Sequence, residues 1–282
     1  MIGLGAAVAL LSFLQITPPP PQPNAVYEIR SERRSSQRGS DDSSGSSRDI
    51  DRLVERVLAV REDGIELEYD LPADASEQDH AREWRFPIRI FKPKQGPMRL
   101  LNRAEMAARL DGWLKAATLT REACGRLIFT WNAFRIECEP QSVLKTLEAL
   151  DPAPQDLRAG ASYADPDALA PAPMHRMSTG AAGAVYGVDM AIDPEVVRRR
   201  RAQTDVGVAE LSGEKLAFET ALHKRSGEKI SGTISLTFHA DAEGRAWRRV
   251  RLTKVEIREA SGRFENETTT EIVERRPASA GS

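Results

Sequence analysis

Residues 230–239, ISGTISLTFH, decide the class of fold. Ile230, Gly232, Ile234, Leu236 and Phe238 alternate without interruption with Ser231, Thr233, Ser235, Thr237 and His239. A period of two sends the first set to one face of a strand and the second to the other. One dry and one wet face is the habit of antiparallel sheets. The flanking residues extend the block. Asp241–Gly244 and Ser261-Gly262 supply turns. Between them Val250 and Leu252 keep one phase and Val255 and Ile257 the other, which predicts a β-bulge near Thr253-Lys254. Residues 264–273 read as a last strand, and their Thr and Glu content suits an edge. Upstream, Leu216, Phe218, Thr220 and Leu222 alternate and predict one more strand, closed by a turn at Ser226-Gly227.

A second meander precedes it. Val26–Arg30 reads as a short strand. Leu53–Arg61 and Ile65–Leu71 form a hairpin about Asp63-Gly64. Trp84, Phe86, Ile88 and Ile90 share a face of a further arm, which Pro87 marks as an edge or a bulge. Between the first two arms, residues 31–48 (SERRSSQRGSDDSSGSSR) hold too little apolar surface for a core face and read as a long mobile loop.

The period then changes to that of helices. Met106, Leu110, Trp113, Leu114 and Ala117 lie on one side of a helix opened by Asn102, with Glu105 placed for a capping box. Thr120 and Gly125 bracket a short second helix. Pro140 opens a third, with Val143, Leu144, Leu147 and Leu150 inward. Asp193-Pro194 caps a fourth, running through Arg198–Arg201 to near Glu210. Residues 151–184 are rich in Ala, Pro and Gly without periodicity, as in a linker or a surface crossing.

These readings divide the chain into five parts. Residues 1–25 are a signal peptide or anchor, and 26–150 a meander with helices. Residues 151–184 cross or link, 185–276 carry a helix and the second meander, and 277–282 form a disordered tail. The two meanders form one domain or two. The fold class is α+β, with antiparallel meander sheets, free to curve at Gly232, packed on a few amphipathic helices.

Ile2–Leu14 is an uncharged apolar run. It is shorter than the about 20 residues that span a bilayer and suits the core of a secretory signal, although no basic residue precedes it. The alternative is an uncleaved anchor followed by a proline-rich stalk, Pro18–Pro23. Export, to a periplasm or envelope, gives meaning to the two cysteines. Cys124 and Cys138 flank a predicted hairpin turning near Asn132, which brings them together for a disulfide worth about 3 kcal/mol in the chain-entropy picture.

The chemistry offered is sparse. A net charge of −2 and 6% aromatic content give no field or stacking surface that selects nucleic acid. No motif for nucleotide, metal or nucleophilic catalysis occurs, and His80, His175, His223 and His239 have no ligand spacing. No catalytic residue, metal or cofactor is therefore assigned. Arg198, Arg199, Arg200 and Arg201 are the one dense basic cluster. They read either as an anion clamp or as arginines lying over glutamates of the sheet.

A sheet with helices against one face resembles the plan of the lipoprotein-carrier and related lipid-binding proteins of the bacterial envelope. The likeness is one of architecture and carries no site residue. It implies a non-catalytic envelope protein binding a lipid-like ligand between sheet and helices, with Trp84, Phe86, Met106, Trp113, Leu236 and Phe238 as candidate liners. The alternatives are a structural or partner-binding envelope protein, using 31–48 and the arginines as contacts, and a hydrolase whose site carries no motif.

Overall fold

The computed structural model describes residues 21–129, 133–154 and 156–278. Residues 1–20 of the expected leader, 1–25, and the hairpin turn at residues 130–132 lie outside them. The chain runs β1 (Val26–Gly39), β2 (Ser44–Val60), β3 (Gly64–Asp70), α1 (Glu77–Arg82), β4 (Ile88–Pro93), β5 (Arg99–Leu100) and α2 (Arg103–Ala116). A small hairpin follows, β6 (Leu127–Phe129) and β7 (Ala133–Arg135), then α3 (Val143–Ala149). The crossing segment holds β8 (Ser162–Tyr163) and β9 (Ala172–Pro173) and leads into β10 (His175–Gly180). After β11 (Gly183–Ala191) come α4 (Pro194–Leu211), α5 (Phe218–Lys224), β12 (Lys229–Ala240), β13 (Ala246–Arg258) and β14 (Phe264–Pro277). The fold is α+β with a large antiparallel sheet.

Ten strands form one sheet in the order β10-β11-β12-β13-β14-β1-β2-β3-β4-β5. The two meanders are thus halves of one sheet, joined where the first strand pairs with the last, from Tyr27 opposite Pro277 to Gly39 opposite Glu265. Register assigns every strand an inward and an outward face. Tyr186, Phe238 and Arg249 stand in one inward row, and Leu53, Ile29 and Arg275 in another.

Two packed cores occupy the ends of the inward face. Over β2–β4 lie Val57, Leu67, Tyr69, Ile88 and Ile90, covered by Met106, Leu110 and Leu114 of α2 and by Val143 and Leu147 of α3. Over β11–β13 lie Tyr186, Val188, Ile234, Leu236, Phe238, Val255 and Ile257, covered by Val197 of α4 and by Met174 from the crossing segment. Asp193 caps α4 as its sequence predicts, its side chain accepting from Glu195 N–H at 2.8 Å. At Gly232 a Cβ would stand 2.2 Å from the carbonyl oxygen of Lys254, so glycine there permits the close approach of β12 and β13.

Several expectations are corrected. Residues 31–48 are not a loop but the distal part of the β1–β2 hairpin, paired on the far side to β14. Their polar side chains need no core, because two hydrogen-bonded ladders and cross-strand polar bonds such as Ser35 Oγ to Ser47 Oγ, 2.8 Å, hold them. The segment expected as a strand over residues 216–222 instead enters helix α5 at Phe218; four alternating positions without a run of β-branched residues also suit a short helix with Ala221 buried. The ladder between β13 and β14 is continuous through Thr253-Lys254, and the irregularity lies between β12 and β13 at His239/Ala240. Strand β14 is no edge, since it pairs with β13 and β1.

Smaller corrections follow the same pattern. Asn102 makes no capping box. Its side chain, buried at 4% exposure, accepts from Arg89 N–H and donates to the Pro87 carbonyl, so it ties the start of α2 to β4. The segment after Thr120 is a single 3-10 turn without a side-chain cap. Pro277, expected in the tail, pairs with Tyr27, and Ala278 N–H donates to the Val26 carbonyl. Of the expected linker 151–184, the part before β10 crosses the sheet, with Tyr163 packed at a tilt against Phe238 at 5.4 Å between ring centroids, and the rest enters the sheet as β10 and the start of β11.

The Cys124–Cys138 disulfide is formed, with Cα atoms 5.6 Å apart. It points to a non-reducing, exported environment. Among the described residues no helix is long and apolar enough to cross a membrane.

Candidate functional site

Between the two cores the inward face turns polar, and register explains how. One row across the sheet reads Leu236, Arg251, Glu271, Arg33, Asp49. The next reads Ile234, Thr253, Thr269, Ser35, Ser47. A row of alternating charge therefore lies beside a row of hydroxyls, and each row ends in the apolar core over β12. Above them stand Arg200 and Arg201 of α4 and Asp165 and Asp167 of the crossing segment. Of these residues Arg33, Arg251, Glu271, Thr253, Thr269, Arg200, Arg201 and Asp167, with Glu267, bound a groove of about 340 Å³, whose aliphatic wall is Val197, Val255 and Ile257.

Arg251 is the hub. Its guanidinium donates to both carboxylate oxygens of Asp165 (2.9 and 3.0 Å), to Asp167 at 2.8 Å and to Glu271 at 3.1 Å. Burial opposes its charge, but the bonds to Asp165 and the charges of Glu271 and Asp167 outweigh burial and raise its pKa. Arg200 donates to Asp167 at 2.6 Å. Burial pushes the Asp167 carboxyl up, while Arg200 and Arg251 together hold it below its ordinary range. Arg33 reaches Glu271 from the other side, at 3.7 Å.

Two polar groups in this region lack such partners. The Thr253 side chain lines the groove at 7% exposure, and its Oγ1 is buried without a hydrogen bond among the described residues. Arg201 bonds Glu265 at 2.7 Å through Nη1. Its Nε lies 3.4 Å from Glu228 Oε1 without the alignment of a hydrogen bond. A buried hydroxyl left unbonded costs about 1–3 kcal/mol unless something else satisfies it.

The predicted site residues divide. Trp84 and Met106 lie in the core over β2–β4, with Phe86 and Trp113 packed against it, whereas Leu236 and Phe238 lie in the core over β12. The six do not come together; the charged row separates them. The arginine cluster divides as well. Arg198 ties α4 to the turn before β12, donating to the carbonyls of Arg225 and Glu228 at 3.2 Å each. Arg199 is exposed, and Arg200 and Arg201 reach the groove.

The polar residues missed by sequence reasoning are Arg33, Asp165, Asp167, Arg251, Thr253, Thr269, Glu267 and Glu271. For Arg251 and Thr253 the signal was present as the apparent phase slip. Arg249, Arg251, Thr253, Val255 and Ile257 keep one unbroken inward phase; Arg249 is polar because it binds the carbonyls of Ala149 and Asp151, and Arg251 and Thr253 because the groove lies above them. The histidines stand apart from this site: His80 is in the last turn of α1, His175 opens β10, His223 is in the last turn of α5, and His239 packs against Trp247 at 5.8 Å between ring centroids. Among the described residues no group of three or more His, Cys, Asp or Glu is arranged to hold a metal ion. In comparisons with known proteins, the chain matches no family model and no curated protein.

Proposed function

We propose that this is a non-catalytic protein of the periplasm or envelope that binds an amphiphilic, lipid-like ligand between its sheet and helices. The ligand occupies the groove between the two cores rather than either core. Its anionic head lies toward Arg33 and Arg200, within reach of the Thr253 hydroxyl, and its apolar part lies along Val197, Val255 and Ile257. The observation that carries this reading is the unbonded, buried Thr253 hydroxyl in a groove that sets guanidinium groups beside aliphatic side chains. Arginine supplies the planar donors that suit a phosphate or carboxylate head.

Native mass spectrometry of the protein from its own envelope fraction tests the reading. A mass excess that vanishes on denaturation, extracts as an anionic amphiphile, and is lost in an Arg33→Glu, Arg200→Glu variant is the expected result. A bare mass, or an adduct retained by that variant, overturns it. A bare mass directs the search to macromolecular partners, the other reading that the long polar hairpins favour.

A further inference from the structure

The outward face of the central strands is charged in a different way from the inward one. Register places Arg30, Arg34 and Arg38 of β1, Arg48 of β2 and Lys254 and Arg258 of β13 on that face. Arg34 and Arg48 stand directly opposite each other, a like-charge pair that is unfavourable alone. Glu32 resolves it. Its side chain, 2% exposed, accepts from Arg34 Nε at 2.5 Å, from Arg48 Nε at 2.7 Å, and from Arg30. The bonds from Arg48 and Arg34, with Arg30 behind them, hold its carboxyl down to about 2. One carboxylate among three guanidinium groups leaves positive charge in excess.

Carboxylates nearby offset only part of the excess: at the β1–β2 turn Asp41 is engaged by Arg263, and Asp42 and Glu259 stand at the two turns. Glu256 is engaged by Arg258. Among the described residues Arg38 and Lys254 pair with no carboxylate. In a chain of net charge −2 this basic face is a local feature. The same face carries exposed apolar side chains, Ile50 (45%) and Phe264 (39%).

We infer that the outward face of β13, β14, β1 and β2, toward their hairpin turns, docks on a bilayer surface bearing anionic lipid headgroups. Charge complementarity calls for an anionic occupant, and basic side chains near such a surface are attracted additively. Ile50 and Phe264 give the boundary between headgroups and acyl chains something to bind, which a soluble acidic polymer does not require.

Co-sedimentation of the protein, purified from its own envelope, with phosphatidylcholine vesicles with and without phosphatidylglycerol tests the inference. Binding is expected only with phosphatidylglycerol, and it falls as salt rises. Arg38→Gln and Lys254→Gln each weaken it about fivefold. Ile50→Ser, which leaves the charge unchanged, weakens it independently of any effect of the charge variants on folding. Equal binding to both vesicles overturns the inference, as does binding unchanged in all three variants. Capture by a soluble acidic polysaccharide without vesicle binding also overturns it and assigns the face to such a polymer.

Discussion

The inward face of one sheet is finished in two ways. Over β2–β4 it is sealed by helices, with Ile88, Ile90, Met106 and Leu110 wholly removed from solvent. Over β13, β14 and β1 the same face is covered by guanidinium and carboxylate groups drawn from a helix, a crossing segment and the strands themselves. The first region gains its stability from apolar area and tolerates no gap. The second spends most of its ion-pair energy on desolvating the groups that make it. A region of that second kind contributes little to folding for the number of bonds it contains. What it offers is an ordered polar surface, which is what a binding site needs.

The sharpest way to break this comparison is to damage each region in turn. Phe238→Ala, or Leu110→Ala in the other core, is expected to cost about 3–5 kcal/mol in denaturant unfolding, because the cavity cannot collapse. Arg251→Met comes next, at about 3 kcal/mol, since it leaves Asp165 and Asp167 charged and short of partners. A loss under about 1 kcal/mol on the same denaturant scale would mean that the groove is solvated as freely as a surface. Opening the Cys124–Cys138 bond with Cys→Ser changes is expected to cost about 3 kcal/mol, and less if the reduced loop keeps structure.

Smaller effects sharpen the contrast. Thr253→Val removes a hydroxyl that has no partner and keeps the shape of the side chain. It is expected to stabilise the ligand-free protein by about 1 kcal/mol, read as a rise in melting temperature. Destabilisation would show that the hydroxyl is satisfied in solution. The smallest effect is at Glu32, whose arginine partners are themselves well exposed to water. Because its pKa is lowered to about 2, its contribution is complete above the ordinary carboxylate range and is lost as pH falls through that range to about 2. Glu32→Gln should therefore differ from the parent in thermal unfolding at neutral pH and converge with it near pH 2. A difference that persists in strong acid would assign the effect to packing.

Some of this was legible before any strand was paired. The alternation of residues 230–239 gave β12 its two faces, Asp193-Pro194 its place at the head of α4, and the two cysteines their bond. Other segments misled for a definable reason. Residues 31–48 and 264–273 look like a loop and an edge because sequence patterns measure apolar area, and both segments are held by ladders and ion pairs instead. Arg251 looked like part of a phase slip because the pattern assumes that an inward position is an apolar one.

The sequence by itself determined the α+β class, the alternation that gives most strands a dry and a wet face, the principal helices and the disulfide. Each of these is a local matter of period, cap or short loop, in which the competing conformations differ within a few residues. Only the tertiary structure decided that β1 and β14 close two meanders into one sheet. It alone set Arg33, Glu271 and Arg251 in one row, and left an unbonded hydroxyl beneath α4. The reason is that an inward charge is a fault or a site according to what stands opposite it, and its partners here come from the two ends of the chain and from the crossing between them.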